Sequence, residues 1–265
     1  MAEASRVERI GIDIERIGKK ERQPAALKSR ISNHELSDLR IITKHVKNAV
    51  PFVRLNSWHD SSPEEIETAL DLGARCLMLP YFRRTTDAER FAETVAGRAE
   101  ATLLVETGAA MMRLHELTKL PGISEIMVGM NDLHWDLQLT NRFEVAVSDI
   151  LTCVSEQVRA AGLHFGLGGL ASPKTPDLPL CPDLLIARYA ALRVGSSWIS
   201  RSSFHPTLTP ETFAPTLANL RERIFYWFTR TPEELNRATR KLREEVRCLC
   251  AQERLIHAQG VRHLF

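Results

Sequence analysis

The sequence has 265 residues, 44% hydrophobic and 26% charged, which is the balance of a folded globular chain and excludes a disordered one. Thirty-five Lys and Arg against 33 Asp and Glu leave a net charge of +2. Bulk electrostatic attraction to nucleic acid or to an anionic membrane is therefore not the main driving force, and only a local patch could serve. No apolar run approaches the roughly 18 residues of a membrane helix, and the opening Met-Ala-Glu-Ala-Ser-Arg-Val-Glu-Arg lacks the apolar core of a secretory signal. Five cysteines at irregular spacing, Cys76, Cys153, Cys181, Cys248 and Cys250, read as mostly buried thiols of a reduced, cytoplasmic chain.

In chain order, β-rich runs alternate with helical segments. Residues 9–15 predict a first strand ending in acids, 50–56 a second, 74–80 a third, 101–107 a fourth, 123–129 a fifth, 163–169 a sixth and 192–199 a seventh. Several lack clean apolar–polar alternation, as strands buried on both faces should. Ser62-Pro63-Glu64-Glu65 predicts a capping box with Pro at the first helical position, opening a helix that closes at Gly73. Thr86 and Asp87 start another that ends near Gly97. Residues 109–120 predict a helix stopping at Pro121-Gly122, and 143–161 a long amphipathic one closed by Gly162.

This alternation argues a parallel sheet, and seven or eight units in one chain argue a TIM-type (β/α)8 barrel over a doubly wound sheet. The Pro-rich piece 172–179 then falls on a loop at the end of the sixth strand, where such a barrel keeps its active-site loops. The composition changes after Phe204, which divides the chain into a barrel unit over 1–206 and a helical unit over 207–265. Thr209-Pro210-Glu211 opens one helix there, and Thr231-Pro232-Glu233-Glu234 is a second capping box. The stretch is too long for one barrel crossover. It is a cap, or an arm that docks on another subunit and makes a homo-oligomer. The cluster Phe225-Tyr226-Trp227-Phe228 at its elbow is ordinary core packing or an oligomer contact.

In a barrel, polar residues at strand C-termini face the active site. Those positions deliver Asp13, Glu15 and Arg16, then Arg54, Asn56 and His59, then Glu106, then Asn131 and Asp132, and last Ser200-Arg201-Ser202. Glu106 and Asp132 each follow an apolar run and precede a helix. Carboxylates at that depth need a cation, a metal or a raised pKa; the two together suit Mg²⁺, and helix capping explains either one alone. Arg54 in an apolar strand must face an anion: Asp13 or Glu15 of this chain, or a substrate carboxylate or enolate oxygen. Asp13 and Glu15 share one side of their strand, and Asp13 is the better ion-pair partner for Arg54. Arg16, Lys19, Lys20 and Arg22 form a basic cluster, either a solvated loop or a reader of an anionic substrate tail. His59 and His134 are candidate bases or ordinary histidines. Arg201 is a carboxylate or phosphate ligand or a strand-end salt bridge. No strand ends in Lys, which disfavours a Schiff-base aldolase. No Gly-x-Ser-x-Gly, Walker A or His-Glu-x-x-His occurs.

Phe52-Val-Arg-Leu-Asn56, Leu77-Met-Leu-Pro80, Leu104-Val-Glu-Thr107 and Pro121-Gly-Ile-Ser-Glu-Ile-Met-Val-Gly-Met-Asn-Asp-Leu133, in that order and spacing, resemble the HpcH/HpaI aldolase and citrate lyase β-subunit family of the phosphoenolpyruvate/pyruvate barrel superfamily. Asp13-Ile-Glu15 followed by Lys20 and Arg22 is similar to the acidic strand end of the citrate-lyase-like branch. The resemblance implies Mg²⁺ or Mn²⁺ at Glu106 and Asp132, and Arg54 on the carbonyl or enolate oxygen of a pyruvate-like or acetyl-like unit. It also implies that backbone N–H groups near Gly108 and Asn131 hold the substrate carboxylate; from their strand-end positions, Asp13 and Arg201 are further candidate substrate contacts. That family places one more strand before the acidic one, so the barrel is expected to be incomplete or altered at its start. Where the aldolase branch has its histidine base this chain reads Glu15-Arg16-Ile17-Gly18, leaving the base among Glu15, His59 and a water on the metal. The expected activity is a metal-dependent carbon–carbon lyase or aldolase working through the enolate of a 2-oxo acid or an acyl thioester such as acyl-CoA. Thioester hydrolysis, phosphoenolpyruvate-type transfer, and metabolite binding or assembly without turnover are the alternatives.

Overall fold

The computed structural model describes residues 1–22, 32–205 and 207–258. Residue 206, at the end of the expected barrel unit, and residues 259–265 of the expected helical unit lie outside these. Six parallel strands, β1 (Arg9–Asp13), β2 (Val50–Arg54), β3 (Cys76–Leu79), β4 (Glu100–Val105), β5 (Glu125–Val128) and β6 (His164–Leu167), pair in chain order. Alternate residues feed two apolar clusters, which is why their sequences do not alternate. Val53, Leu77, Leu103, Ile126 and Phe165 join the large core shared with the helices. Phe52, Cys76, Met78, Leu104 and Met127 form a second cluster on the other face, matched across the ladders as Phe52↔Cys76, Met78↔Thr102 and Leu104↔Met127.

The expected seventh strand makes no continuous ladder. It touches β6 through two isolated parallel bridges, Gly166↔Ser196 and Leu170↔Ile199. Between them Gly169 adopts φ +64°, which turns the chain out of extended geometry and interrupts pairing. Trp198 of this segment nevertheless packs edge-on against Phe52 of β2 at 5.1 Å, so the sheet curls until its two ends share one interior. Among the described residues no strand precedes β1, only a 3-10 turn at Glu3–Ser5, and the ladder stays open between the seventh segment and β1. The architecture is the α/β parallel sheet of a TIM-type barrel, altered at its start.

The interior has three levels. At the N-terminal end Glu125, fully buried, pairs with Arg9 and accepts from Thr102 Oγ1 at 2.9 Å and from Ser196. Above this lie Phe52, Met78, Leu104, Met127 and Trp198. The C-terminal end is again charged.

Helices α1 (Lys19–Arg22), α2 (Leu39–His45), α3 (Ser62–Asp71), α4 (Thr85–Val95), α5 (Gly108–Met112), α6 (Leu114–Leu117), α7 (Met130–Asp136), α8 (Phe143–Val147), α9 (Asp149–Ala160) and α10 (Pro182–Ala191) link the strands. Three expectations need correction. The 62–65 motif is not a capping box. Ser62 Oγ instead accepts from the His59 N–H at 2.9 Å, and Glu65 reaches back to Asn56, accepting from its N–H at 2.9 Å and its Nδ2 at 2.7 Å. The 109–120 helix breaks at Arg113 into α5 and α6. The 143–161 helix breaks at Ser148, whose extended backbone lets its hydroxyl cap α9 by accepting from the Leu151 N–H.

Beyond the barrel, α11 (Pro210–Phe228) and α12 (Pro232–Ala258) pack on α8 and α10 of the same chain. Arg223 binds Asp183 of α10 at 2.7 and 2.8 Å, and Arg221 donates to Ser5 O at 2.7 Å. The Thr231 box forms: Thr231 N–H donates to Glu234 at 2.9 Å and Glu234 N–H to Thr231 Oγ1 at 3.3 Å. Core packing does not account for the aromatic elbow. Trp227 packs on the core, but Phe225, Tyr226 and Phe228 are exposed. All five cysteines are free thiols, but they are not mostly buried: Cys76 and Cys250 are buried, and Cys153, Cys181 and Cys248 are exposed. No described helix is long and apolar enough to cross a membrane.

Candidate metal and substrate centre

Asp13 ends β1 and Arg54 ends β2, in register with one another. Arg54 Nε donates to Asp13 Oδ1 at 2.9 Å, its Nη2 donates to Asp13 Oδ2, and Nε lies 3.5 Å from Glu15. Asn56, two residues beyond β2, accepts from the N–H groups of Arg16 and Ile17 at 2.8 and 3.1 Å. This pins the turn after β1 and aims Glu15 into the mouth. His34 Nδ1 accepts from the Asp13 N–H at 3.2 Å, occupying an amide that the open edge of β1 would leave unpaired.

Glu106 follows β4 directly, and Asp132 lies in the first turn of α7 after β5. Both are buried, and with Glu15 they bring carboxylate oxygens within 4.8 Å of one another. Gly129 makes room for this: a Cβ there would stand 2.6 Å from Glu106 Oε2. Tyr81, in the left-handed region at φ +46°, turns its N–H to Glu106 Oε1 at 3.1 Å, a strained backbone of the kind that collects at functional sites.

Two members of the basic cluster, Lys19 and Arg22, turn inward, whereas Arg16 is exposed. Lys19 is buried and donates to Glu15 Oε2 at 2.7 Å. Arg22 pairs with Glu15 Oε1, donates from Nε to Asp132 Oδ2 at 2.8 Å, and stacks 3.8 Å over the Tyr81 ring. Sequence reading missed these inward roles, and it missed Tyr81. Only the i,i+4 spacing of Glu15 and Lys19 hinted at them.

Among the described residues, four carboxylates, Asp13, Glu15, Glu106 and Asp132, thus meet three cations, Lys19, Arg22 and Arg54. Burial alone would raise Glu15, but the Arg54, Lys19 and Arg22 charges outweigh it and hold the carboxyl below its usual range. For Asp13 too, the hydrogen bond and charge of Arg54 overcome burial and lower the pKa. Glu106 goes the other way. Burial first, then the Glu15 and Asp132 charges, push it well above the ordinary carboxylate value. Burial and the two like charges thus favour the neutral form of Glu106. Three buried hard oxygen donors whose oxygens lie within 4.8 Å of one another fit Mg²⁺ or Mn²⁺.

The other expected residues stand apart from this cluster. His59 is held by its own loop, its Nδ1 3.0 Å from Ser57 O and 2.9 Å from Ser62 Oγ. The Gly108 N–H donates to Asp136 Oδ2 at 2.7 Å, so an internal carboxylate sits where a substrate carboxylate was expected; Asp136 in turn pairs with Arg83. Asn131 and Arg201 are exposed. His134 is buried beside Trp135, at 4.8 Å between ring centres, and burial lowers its pKa.

A curled parallel sheet with an acidic, arginine-lined mouth at its carboxyl end defines an α/β barrel of the kind that does its chemistry there. Residues 28–172 match the family described as HpcH/HpaI aldolase/citrate lyase, and the chain belongs to that family. A curated relative, the hydroxypyruvate/pyruvate aldolase of Rhizorhabdus wittichii, is 26% identical over 196 residues, covering 58% of this chain and 75% of that one. Among solved structures, citrate synthase SbnG superposes with TM-score 0.56 at 17% identity, covering 83% of this chain and 86% of that one. The CitE protein of Mycobacterium tuberculosis, in complex with magnesium and acetate, gives 0.55 at 15%, covering 92% and 89%. An HpcH/HpaI aldolase from Desulfitobacterium hafniense gives 0.55 at 12%, covering 75% and 79%. Family membership supports lyase or aldolase chemistry. The matched segment contains Arg54, Glu106 and Asp132; Asp13, Glu15, Lys19 and Arg22 precede it.

Proposed function

We propose that this chain is a divalent-metal-dependent carbon–carbon lyase or aldolase acting through the enolate of a pyruvate-like 2-oxo acid or an acyl thioester. The observation that carries the reading is the convergence of Glu15, Glu106 and Asp132 within 4.8 Å beside Arg54. Glu106 and Asp132, with Glu15 as a third donor, would hold Mg²⁺ or Mn²⁺, which supplies Lewis-acid polarisation of the donor oxygen. The Asp13 carboxylate fixes the guanidinium plane of Arg54 through Nε and Nη2. Its Nη1, without a hydrogen bond among the described residues, is the donor left for a developing oxyanion. One such donor is typically worth about 3–4 kcal/mol.

Asp13 is thus a positioning residue. Glu15, held ionised by three cations, suits a ligand better than a proton acceptor. The named activity of the aldolase relative and the magnesium and acetate of the CitE structure agree with this reading.

The test is turnover of metal-loaded protein with pyruvate or hydroxypyruvate and a panel of aldehydes, followed by mass spectrometry, and with acyl-CoA thioesters, followed by thiol release. An adduct or released thiol that disappears with EDTA and in Glu106→Gln is expected. A folded, metal-loaded protein that turns over neither donor class would overturn the reading.

A further inference from the structure

Each cation of the mouth except one serves its own neighbourhood. Arg54 pairs across the β1–β2 register with Asp13, and Lys19 pairs one helical turn back with Glu15. Arg22 reaches across the mouth instead, from α1 to α7, and joins Glu15 to Asp132. These are two of the three carboxylates whose oxygens lie within 4.8 Å of one another. Its side chain is 10% exposed and lies over the Tyr81 ring, so a single aromatic face and two carboxylates hold it.

The guanidinium therefore occupies two of the carboxylates that a divalent ion would use. A metal at about 2.1 Å from an oxygen that also accepts a 2.8 Å bond from Arg22 Nε would put two positive centres in close contact in a buried site. Where metal and guanidinium share an oxygen, the two compete for it.

We propose that Arg22 is an internal cation that competes with the divalent metal for Glu15 and Asp132, so that metal enters by displacing it and its docking sets the metal affinity. This rests on the reading of the mouth as a metal centre. The chain geometry permits the exchange. Besides the two carboxylates, the Arg22 side chain is hydrogen-bonded, among the described residues, only to Ile17 O, at 3.3 Å.

The experiment measures Mn²⁺ binding to the EDTA-stripped full chain by the free-ion electron paramagnetic resonance signal, in wild type, Arg22→Ala and Arg22→Lys. If Arg22 is docked about 90–99% of the time, the apparent affinity of the wild type is lowered about 10–100-fold, and Arg22→Ala binds tighter by that factor. Its melting temperature in EDTA falls, while the rise on adding Mg²⁺ exceeds that of wild type. A second readout separates displacement from simple charge removal. The Arg22 Nε–H cross-peak, assigned by its absence in Arg22→Lys, shifts on Mg²⁺ titration with the midpoint of metal binding.

Equal or weaker Mn²⁺ binding by Arg22→Ala, or a cross-peak unmoved at saturating Mg²⁺, overturns the competition and leaves the metal centre standing. No Mn²⁺ binding by wild type or either variant, with native circular dichroism spectra, overturns both.

Discussion

Replacing Arg54 by Met removes the guanidinium that ties the ends of β1 and β2 together at the mouth. The wild-type guanidinium makes two bonds to Asp13 and lies 3.5 Å from Glu15, with side-chain exposures of only 19%, 11% and 1% for the three residues. In Arg54→Met, Asp13 keeps Lys19 at 3.8 Å, and Glu15 keeps Lys19 and Arg22. Breaking one partner of a buried pair costs about 3–5 kcal/mol, and the residual cations place this case at the lower end, about 3 kcal/mol. At about 2–4 °C per kcal/mol for a chain of this size, the melting temperature at pH 7 should fall by about 6–12 °C.

The sign of the pH dependence follows from the two depressed carboxyls. Their stabilisation is fully present above the unfolded values of about 4 and is lost as pH falls through the folded ones. The gap between wild type and variant is therefore widest near neutrality and narrows below about pH 4. Adding Asp13→Asn to Arg54→Met should recover more than half of the loss. The assay is urea unfolding followed by circular dichroism at pH 7 and at pH 3.5. A loss under about 1 kcal/mol, the worth of an exposed pair, or a gap that does not change with pH, would refute the reasoning.

Gly129→Ala puts a Cβ 2.6 Å from Glu106 Oε2; it should cost about 1–3 kcal/mol as an overpacked site and weaken Mn²⁺ binding at least about tenfold, read by unfolding and by titration. Arg9→Met strands the fully buried Glu125 and should cost about 3–5 kcal/mol while leaving Mn²⁺ affinity at the opposite end of the barrel unchanged; a parallel loss of affinity would contradict the separation of the two charged levels. Native alkylation at pH 7.5 should label Cys153, Cys181 and Cys248. It should spare Cys76, whose thiol burial pushes up to about 12, and Cys250, pushed up to about 11, chiefly by burial; mass spectrometry of the labelled peptides decides it.

The sheet was legible because its strands are apolar runs spaced by helices, and burial on both faces leaves that mark on composition. The seventh strand was over-read. Its apolar content is real and Trp198 does enter the interior, but local backbone geometry at Gly169 breaks the pairing, and no composition rule carries that information. The long helix at 143–161 was over-read for a related reason: the apolar periodicity runs through Ser148, whose side chain ends one helix and caps the next. At the site, Glu106, Asp132 and Arg54 were legible because a charge at the end of an apolar strand is costly without a partner. Lys19 and Arg22 stayed undecided between a solvated loop and a reader of an anionic substrate tail, because a basic cluster after a strand has no such contrast around it. Only the fold shows that the turn pinned by Asn56 points them inward. Tyr81 gave no signal at all, since its part depends on a left-handed backbone.

The most direct measurement is proton–deuterium exchange of the pyruvate methyl group in D₂O, followed by NMR, with Mg²⁺, with EDTA and in Asp132→Ala. Enolate chemistry at Glu106 and Asp132 predicts exchange that requires the metal and is lost in the variant. No exchange by folded, metal-loaded wild type, or exchange that persists in EDTA and in Asp132→Ala, would contradict a metal-stabilised pyruvate enolate at this site.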